Sequence, residues 1–127
     1  MSVKRAEKSK YSSFRKGEKL VEMTPARIAL EREELGELRR ILDAGDDVHQ
    51  EWNGFTLLHS AVDGEVDAHV QTGEPLHVDA TALLLSKGAD PDRPSHGGRG
   101  VSARHMAFVS GHWLASDLFE AWTRRGK

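Results

Sequence analysis

A short pattern that occurs three times constrains the fold of this chain more than any other feature. Each copy begins with a hydroxyl residue and reaches an alanine five positions later, at Thr24–Ala29, Thr56–Ala61 and Ser102–Ala107. Thr24 and Thr56 lie 32 positions apart, whereas Thr56 and Ser102 lie 46 positions apart. Periods of roughly 20–50 residues are typical of proteins that stack similar supersecondary units. The sequence therefore predicts three such units.

The residues around each copy predict a helix, a turn and a second helix. Thr24 is a good N-cap, and Pro25 suits the first helical position, where its missing N–H costs nothing. Gly45 and Gly88 can end the second helices in a left-handed conformation. Asn53-Gly54 supplies a turn before the next helix. The first unit also carries an apolar stripe at helical spacing, formed by Leu35, Leu38, Ile41 and Leu42.

This arrangement resembles the ankyrin repeat, whose pattern runs G-x-T-P-L-H-x-A, then N-G-H, then V-x-x-L-L-x-x-G-A-D. Thr24-Pro25, Gly111-His112 and Leu84-Leu85-Ser86-Lys87-Gly88-Ala89-Asp90 match parts of it. The resemblance implies an all-α fold, an ankyrin-repeat solenoid of three helix–turn–helix repeats joined by hairpin-like loops. The repeats would cover about residues 22–53, 54–99 and 100–127, which together form one domain. The resemblance also implies that His59 and His105 bond to the hydroxyl residue three positions earlier.

The aromatic residues of the last unit fit a terminal repeat. Trp113, Phe119 and Trp122 have helical spacing, so we expect them to be core or capping residues and not a cofactor site. Polar residues lie between them, and Arg124 and Arg125 end the helix, where cations are favourable. We therefore expect a polar outer face on the last repeat, as a terminal repeat needs for solubility.

The second repeat is longer than the pattern requires, by about 11 residues between its two helices. The extra residues fall within 64–76, and we expect them to form an inserted loop. Val66, Val70 and Leu76 could pack this segment down, in which case its shape is fixed. Inserted loops on rigid scaffolds commonly carry specific function, although a neutral surface extension is the alternative.

The charge of the chain is unevenly distributed. Residues 1–20 carry seven basic and two acidic side chains, whereas the remainder carries 11 basic and 18 acidic ones. We interpret residues 1–21 as a basic, disordered N-terminal tail, since they offer too little apolar area to fold. The acidic body disfavours nucleic acid as the main ligand. There is no apolar run that could form a membrane span or a signal peptide, so we expect a cytoplasmic protein.

Histidine and carboxylate side chains are dense around the insertion, at His59, Asp63, Glu65, Asp67, His69, His77 and Asp79. Such a cluster could bind a metal ion or support a metal-dependent enzyme, and this is the alternative function. The spacing matches no metal motif, however, and the chain has no cysteine. We therefore expect no metal, no cofactor and no catalytic residue.

The resemblance implies a protein–protein interaction module that binds a single protein partner through its loops and the insertion. Trp52 is the preferred anchor, because interface hot spots favour Trp and Arg. The acidic body favours a basic partner. An inhibitor or immunity protein and an adaptor are the two specific forms considered, and we expect a monomer when no partner is bound. The predicted partner-binding residues are Glu51, Trp52, Asn53, Asp63, Glu65, Asp67, His69, Arg93, His96 and Arg99.

Overall fold

A computed structural model describes residues 23–125 of the chain. The predicted N-terminal tail, residues 1–21, lies outside the described residues. Within 23–125 the chain is mostly helical, with six α-helices and one two-stranded sheet. None of the helices in this range is long and apolar enough to cross a bilayer. The elements are α1 (Pro25–Glu31), α2 (Leu35–Asp43), β1 (Glu51–Trp52), β2 (Phe55–Thr56), α3 (Leu57–Thr72), α4 (Asp79–Ser86), α5 (Ala103–Ser110) and α6 (Trp113–Arg125).

The three hydroxyl residues of the sequence pattern each begin a helix. Thr24, Thr56 and Ser102 are the N-caps of α1, α3 and α5. Each hydroxyl oxygen accepts a hydrogen bond from the backbone N–H three residues later, at 3.2, 3.3 and 3.0 Å. Pro25 occupies the first turn of α1, as predicted. Each bond satisfies one of the N–H groups that a helix start leaves without a partner.

The six helices pack in consecutive pairs. The contacting pairs are α1 with α2, α3 with α4, and α5 with α6. Helix α3 also contacts α1 and α5, and α2 contacts α4, so the middle pair touches both of its neighbours. One apolar core runs through all three pairs, and it includes Leu38 and Leu42 of the predicted stripe. Burial of this continuous core is what holds the short helices together, since isolated helices of this length are marginal in water.

The aromatic residues of α6 divide between core and surface. Phe119 is fully buried and Trp122 packs against the core from a partly buried position, as predicted. Trp113 is 61% exposed, so of the two predicted roles, core or capping residue, the core role is wrong for it. Its position explains the difference. Trp113 is the first residue of α6 and lies beyond the stripe of buried residues that Ala115 and Phe119 define.

The predicted inserted loop is largely helical. Helix α3 continues without interruption from Leu57 through Thr72 and ends at Gly73, which has φ of 78°. Most residues from Gly64 to Thr72 have ordinary helical propensity, and the first suitable left-handed terminator is Gly73. Only residues 73–78 connect α3 to α4 without regular structure. The extra length of the second unit is therefore mainly a helical extension.

Candidate partner-binding site

Strands β1 and β2 form a tight hairpin that projects before α3. They pair antiparallel, with Glu51 opposite Thr56 and Trp52 opposite Phe55. The two residues of the turn, Asn53 and Gly54, have φ of 56° and 86°. Positive φ at both positions is the requirement of a type I′ turn, for which Asn-Gly is the favoured sequence. The predicted turn is confirmed.

A second loop, between α4 and α5, closes on itself in a similar way. Pro94 forms an isolated antiparallel bridge with Ser102. The Ser95 N–H donates to the Val101 carbonyl at 2.9 Å, and the Gly100 N–H donates to the Ser95 carbonyl at 2.9 Å. Ser95 is buried, so the base of the loop is anchored while residues 96–100 are exposed.

Hydrogen bonds join the hairpin to this loop. The His96 N–H donates to the Gly54 carbonyl at 2.6 Å. The Gly97 N–H lies 3.1 Å from both carboxylate oxygens of Glu51. We call residues 51–54 and 93–99 together the joined tip. Residues 46 positions apart in the sequence, Glu51 and Gly97, are thus brought into one surface.

Aromatic packing fixes the geometry beneath the joined tip. The Phe55 ring stacks on the His59 ring at 5.9 Å, and the His96 ring meets Phe55 edge-on at 5.4 Å. The backbone of Gly54 runs directly against His96, since a Cβ atom at position 54 would lie 2.2 Å from the His96 ring. Hairpin and loop can approach this closely only because position 54 has no side chain.

The joined tip presents mostly polar, exposed side chains. Glu51, Asn53, Arg93, His96 and Arg99 are all exposed, as their predicted role requires. Trp52 is half-buried and makes an interaction of its own within the protein, so it is not an isolated exposed ring.

Arg93 and Arg99 are the uncommitted charges of the joined tip. Neither side chain forms a hydrogen bond or ion pair with any other residue in 23–125. The Glu51 carboxylate, in contrast, is already engaged by the Gly97 N–H. Two cations therefore remain available to an external carboxylate, for which the guanidinium is well suited geometrically.

The predicted residues of the insertion lie on α3 rather than on a loop. Asp63, Asp67 and His69 are exposed. Asp67 accepts a hydrogen bond from Gln71 at 3.0 Å, and His69 Nδ1 lies 2.7 Å from the Glu74 carbonyl. The His69 contact folds the segment after α3 back toward the helix. These residues lie on α3, whereas the joined tip is built from the β1–β2 hairpin and the loop between α4 and α5.

Glu65 is not part of either surface, so its assignment to partner binding is wrong. Its side chain is only 3% exposed. One carboxylate oxygen accepts from the Thr81 hydroxyl at 2.7 Å and from His112 Nε2 at 2.7 Å, while the other accepts from the Thr81 N–H at 3.0 Å. We call these three residues the Glu65 cluster. It ties α3 to α4 and to the start of α6.

His112 is the residue of this cluster that the sequence analysis missed. Its ring is fully buried, and its Nδ1 accepts from the Ala115 N–H at 3.2 Å, which makes the side chain a cap for α6. Nδ1 accepts and Nε2 donates, so the ring is the neutral Nε2–H tautomer. The Gly111-His112 dipeptide, which lies between α5 and α6, could have indicated that His112 has a structural role. It does not show that Glu65 is the hydrogen-bond partner of His112.

His59 links the second helix pair to the third. Its Nδ1 lies 2.7 Å from the Thr56 hydroxyl, which confirms the predicted bond, and its Nε2 lies 2.8 Å from the Val101 carbonyl. Burial lowers the pKa of His59, because the charged imidazolium is poorly solvated there. His105 differs: only its backbone N–H bonds to Ser102, and the residue is exposed. The predicted side-chain bond is thus present in one copy of the pattern and not in the other.

Arg27 occupies the corresponding place in the first helix pair. Its Nη2 donates to the Phe55 carbonyl at 2.8 Å, and its Nη1 donates to the Ser60 hydroxyl. The residue is buried, and desolvation lowers the pKa of the guanidinium to about 10. Arg27 and His59 therefore make the same connection. Each bonds to the carbonyl of the residue that precedes the N-cap of the next pair.

The proposed metal cluster is dispersed. In the described range 23–125, no group of three or more His, Asp or Glu side chains is arranged to hold a metal ion. His59, Glu65 and His69 each bind a different protein group, as described above. These contacts give the metal-binding alternative no geometric support.

Comparison with known proteins identifies no relative: no protein-family model, curated protein or solved structure matches the chain.

Proposed function

We propose that this chain is a three-repeat ankyrin-type module that binds one protein partner through the joined tip. The recurring connection between helix pairs supports the ankyrin-type interpretation. Arg27 and His59 lie three residues after their N-caps, and each bonds to the carbonyl just before the next N-cap. The same hydrogen bond between neighbouring helix pairs thus occurs twice, as expected for units that stack in one register.

The hydrogen-bonded union of the hairpin with loop 93–99 is the observation that carries the binding proposal. The bonds from His96 and Gly97 to the hairpin hold the exposed side chains in fixed relative positions. A preorganised surface loses less conformational entropy on binding than two independent loops would. Nothing in the packing of the core requires Asn53, Arg93 or Arg99 at these positions, since all three are exposed.

The charges of the joined tip specify the chemistry of the partner segment. Arg93 and Arg99 have no carboxylate partner in residues 23–125, so a partner that brings a carboxylate to them gains two cationic contacts. The rest of the described chain is acidic, which favours a partner that is basic overall, mainly through the rate of association. A basic protein with an acidic contact loop satisfies both conditions.

The helical extension of α3 supplies a second contact area in this proposal. It exposes Asp67 and Val70 on one side of the helix beyond Gly64. A side chain on a well-formed helix is held in a more defined position than one on a flexible loop. Contacts here would add to those at the joined tip and would discriminate among partners that share the same acidic loop.

Capture of the partner from a lysate of the source cells tests the proposal. We would compare the full chain with the double variant Arg93→Glu/Arg99→Glu, and with Arg39→Glu as the matched control. Arg39 is an exposed arginine on α2 whose carboxylate neighbour lies 3.9 Å away. We expect one dominant protein with the full chain and the control, and at least a tenfold lower recovery with the double variant.

The captured protein then separates the two specific forms of the function. If binding abolishes the activity of the partner, the module is an inhibitor or immunity protein. If the partner retains its activity in the complex, the module is an adaptor. Equal recovery of the partner with the double variant would reject the joined tip as the binding site.

A further inference from the structure

The first two helix pairs bury the same three positions after the N-cap, and the third pair does not. In the first pair these positions are Ala26, Arg27 and Leu30, and in the second they are Leu58, His59 and Val62; all six residues are buried. Helix α1 contacts α3, α3 contacts α5, and the middle residue of each set, Arg27 or His59, bonds to the residue just before the next N-cap. The three positions therefore define the face that one pair presents to the next.

The corresponding residues of the third pair are Arg104, His105 and Phe108. His105 is exposed, and Phe108 is 75% exposed although Leu30 and Val62 are buried at the same position. No fourth pair follows α6 in the described part of the chain. Val109 and Trp113, which are 63% and 61% exposed, lie within five positions of Phe108. We call His105, Phe108, Val109 and Trp113 the open end.

The sequence analysis expects polar residues on the outer face of α6, and Asp117 and Glu120 are exposed there, but it does not predict the apolar surface of the open end. Its three apolar side chains expose on the order of 400 Å² together, since a large aromatic side chain buries about 150–250 Å². Apolar patches of roughly this size on soluble proteins commonly mark an interaction site. A terminal unit with this much apolar surface would otherwise promote non-specific association.

We propose that the open end binds the open end of a second copy of this chain, related to the first by a two-fold axis. At both earlier positions this face is covered by the next helix pair of the same chain, so a second copy of the chain is a cover of matching chemistry. Within residues 23–125, α1 and α2 expose no large hydrophobic residue, so the first pair offers no apolar complement to the open end, whereas a second open end does. A two-fold arrangement uses one face twice and closes, whereas head-to-tail stacking would extend into open filaments. Phe108 and Trp113 then pack against the aromatic side chains of the other copy.

The area is sufficient for a weak, reversible dimer. Two apolar patches contribute about 800 Å², and the polar residues around them bring the total toward the lower limit of stable interfaces, about 1,200 Å². The dimer is therefore expected to form at high micromolar concentration and to dissociate on dilution. This interface shares no residue with the joined tip, so the proposal does not rest on the proposed function. The sequence alone predicts a monomer, which makes the mass in solution a sharp test.

Sedimentation velocity on the full chain measures this mass. We expect the mass to rise from one chain at about 1 µM toward two chains at about 300 µM. Phe108→Glu should raise the dissociation constant at least tenfold, because it places two like charges in the apolar contact. Val70→Glu is the matched control, since Val70 is 71% exposed on α3, outside the open end. A single-chain mass at every concentration, or equal weakening by both variants, would overturn the proposal.

A photo-crosslinker identifies what covers position 108. We would replace Phe108 in the full chain by p-benzoylphenylalanine, which keeps an aromatic ring, and irradiate at about 300 µM, where the weak interface is occupied. We expect a covalent dimer whose crosslinked peptide comes from residues 103–125. A crosslink within one chain to residues 1–22, or no crosslink, would contradict the pairing of two open ends.

Discussion

The Glu65 cluster and the joined tip contain similar side chains, yet the protein uses them in opposite ways. Both combine a carboxylate with a histidine and backbone N–H donors. In the cluster the carboxylate and the ring are buried, and their polar atoms are satisfied within the protein. At the joined tip the carboxylate organises a loop from the surface, and two arginines remain uncommitted. Residue type and spacing alone therefore do not distinguish structural from binding residues here.

Whether the carboxylate has a structural or a binding role depends on whether other helices or solvent surround it. Glu65 faces α4 and the first turn of α6, so its charge is enclosed by helices that cannot move without losing core contacts. Glu51 lies on a two-residue strand at the edge of the molecule, with solvent on its other side. Buried networks stabilise one arrangement, whereas exposed ones leave groups free for a ligand. The following substitutions separate these two roles.

Replacement of Glu65 is expected to have the largest effect. Glu65→Ala leaves His112 Nε2–H and both Thr81 donors without an acceptor in a buried site. We expect a loss of about 3 kcal/mol or more in the free energy of unfolding, measured by urea denaturation. Asp67→Ala, on an exposed turn of the same helix, is the control and should change it by less than about 0.5 kcal/mol. Equal losses of stability in Glu65→Ala and Asp67→Ala would show that the buried Glu65 cluster is no more important for folding than an exposed carboxylate.

Replacement of Gly54 tests the joining of hairpin and loop. Gly54→Ala places a Cβ 2.2 Å from the His96 ring, at a residue with φ of 86°. We expect a loss of about 1–3 kcal/mol and faster amide exchange at His96 and Gly97, because the loop must move away. Gly64→Ala is the matched control, since position 64 lies within α3 with open space around it. It should stabilise the protein by about 0.5–1 kcal/mol.

The titration of His59 gives the smallest of these effects. Burial lowers the pKa of His59 in the folded state below that of the unfolded chain, so the unfolded state binds the proton more readily. Stability from this group is fully present above the unfolded pKa, near 6.5, and decreases as the pH falls below it. The slope cannot exceed about 1.4 kcal/mol per pH unit for one proton.

The comparison of wild type with His59→Gln isolates this contribution, because all other ionisable groups are common to both proteins. We expect the difference in unfolding free energy between wild type and variant to shrink as the pH falls from 7 to about 5. A difference that is constant over this range would show that the protonation of His59 is not linked to folding.

The sequence predicted correctly those features that depend only on residues close together in the chain. The hydroxyl caps, Pro25 and the Asn53-Gly54 turn follow from backbone preferences within a few residues, and the structure confirms them. The sequence analysis predicts a loop where α3 in fact continues, because the length of a segment relative to a repeat pattern says nothing about its local conformation. Its end at Gly73 was nevertheless visible in the sequence as a possible terminator.

The site was only partly predictable because its key contacts join distant residues. The bond between Glu65 and His112 spans 47 positions, and that between Glu51 and Gly97 spans 46. Periodicity identifies which side of a helix is apolar, but it cannot show that a carboxylate on that side meets a donor from another helix. The exposure of Trp113 was not predictable from helical spacing either, because spacing does not show that α6 begins at this residue, beyond its buried stripe.

The footprint of the partner on this chain tests the central claim most directly. Hydrogen exchange of the full chain would be compared with and without the captured partner, peptide by peptide. We expect slower exchange in residues 51–56 and 93–102, with a smaller effect on the outer turns of α3 and none in α2. Protection confined to α5 and α6, with the joined tip unchanged, would contradict the assignment of partner binding to the joined tip.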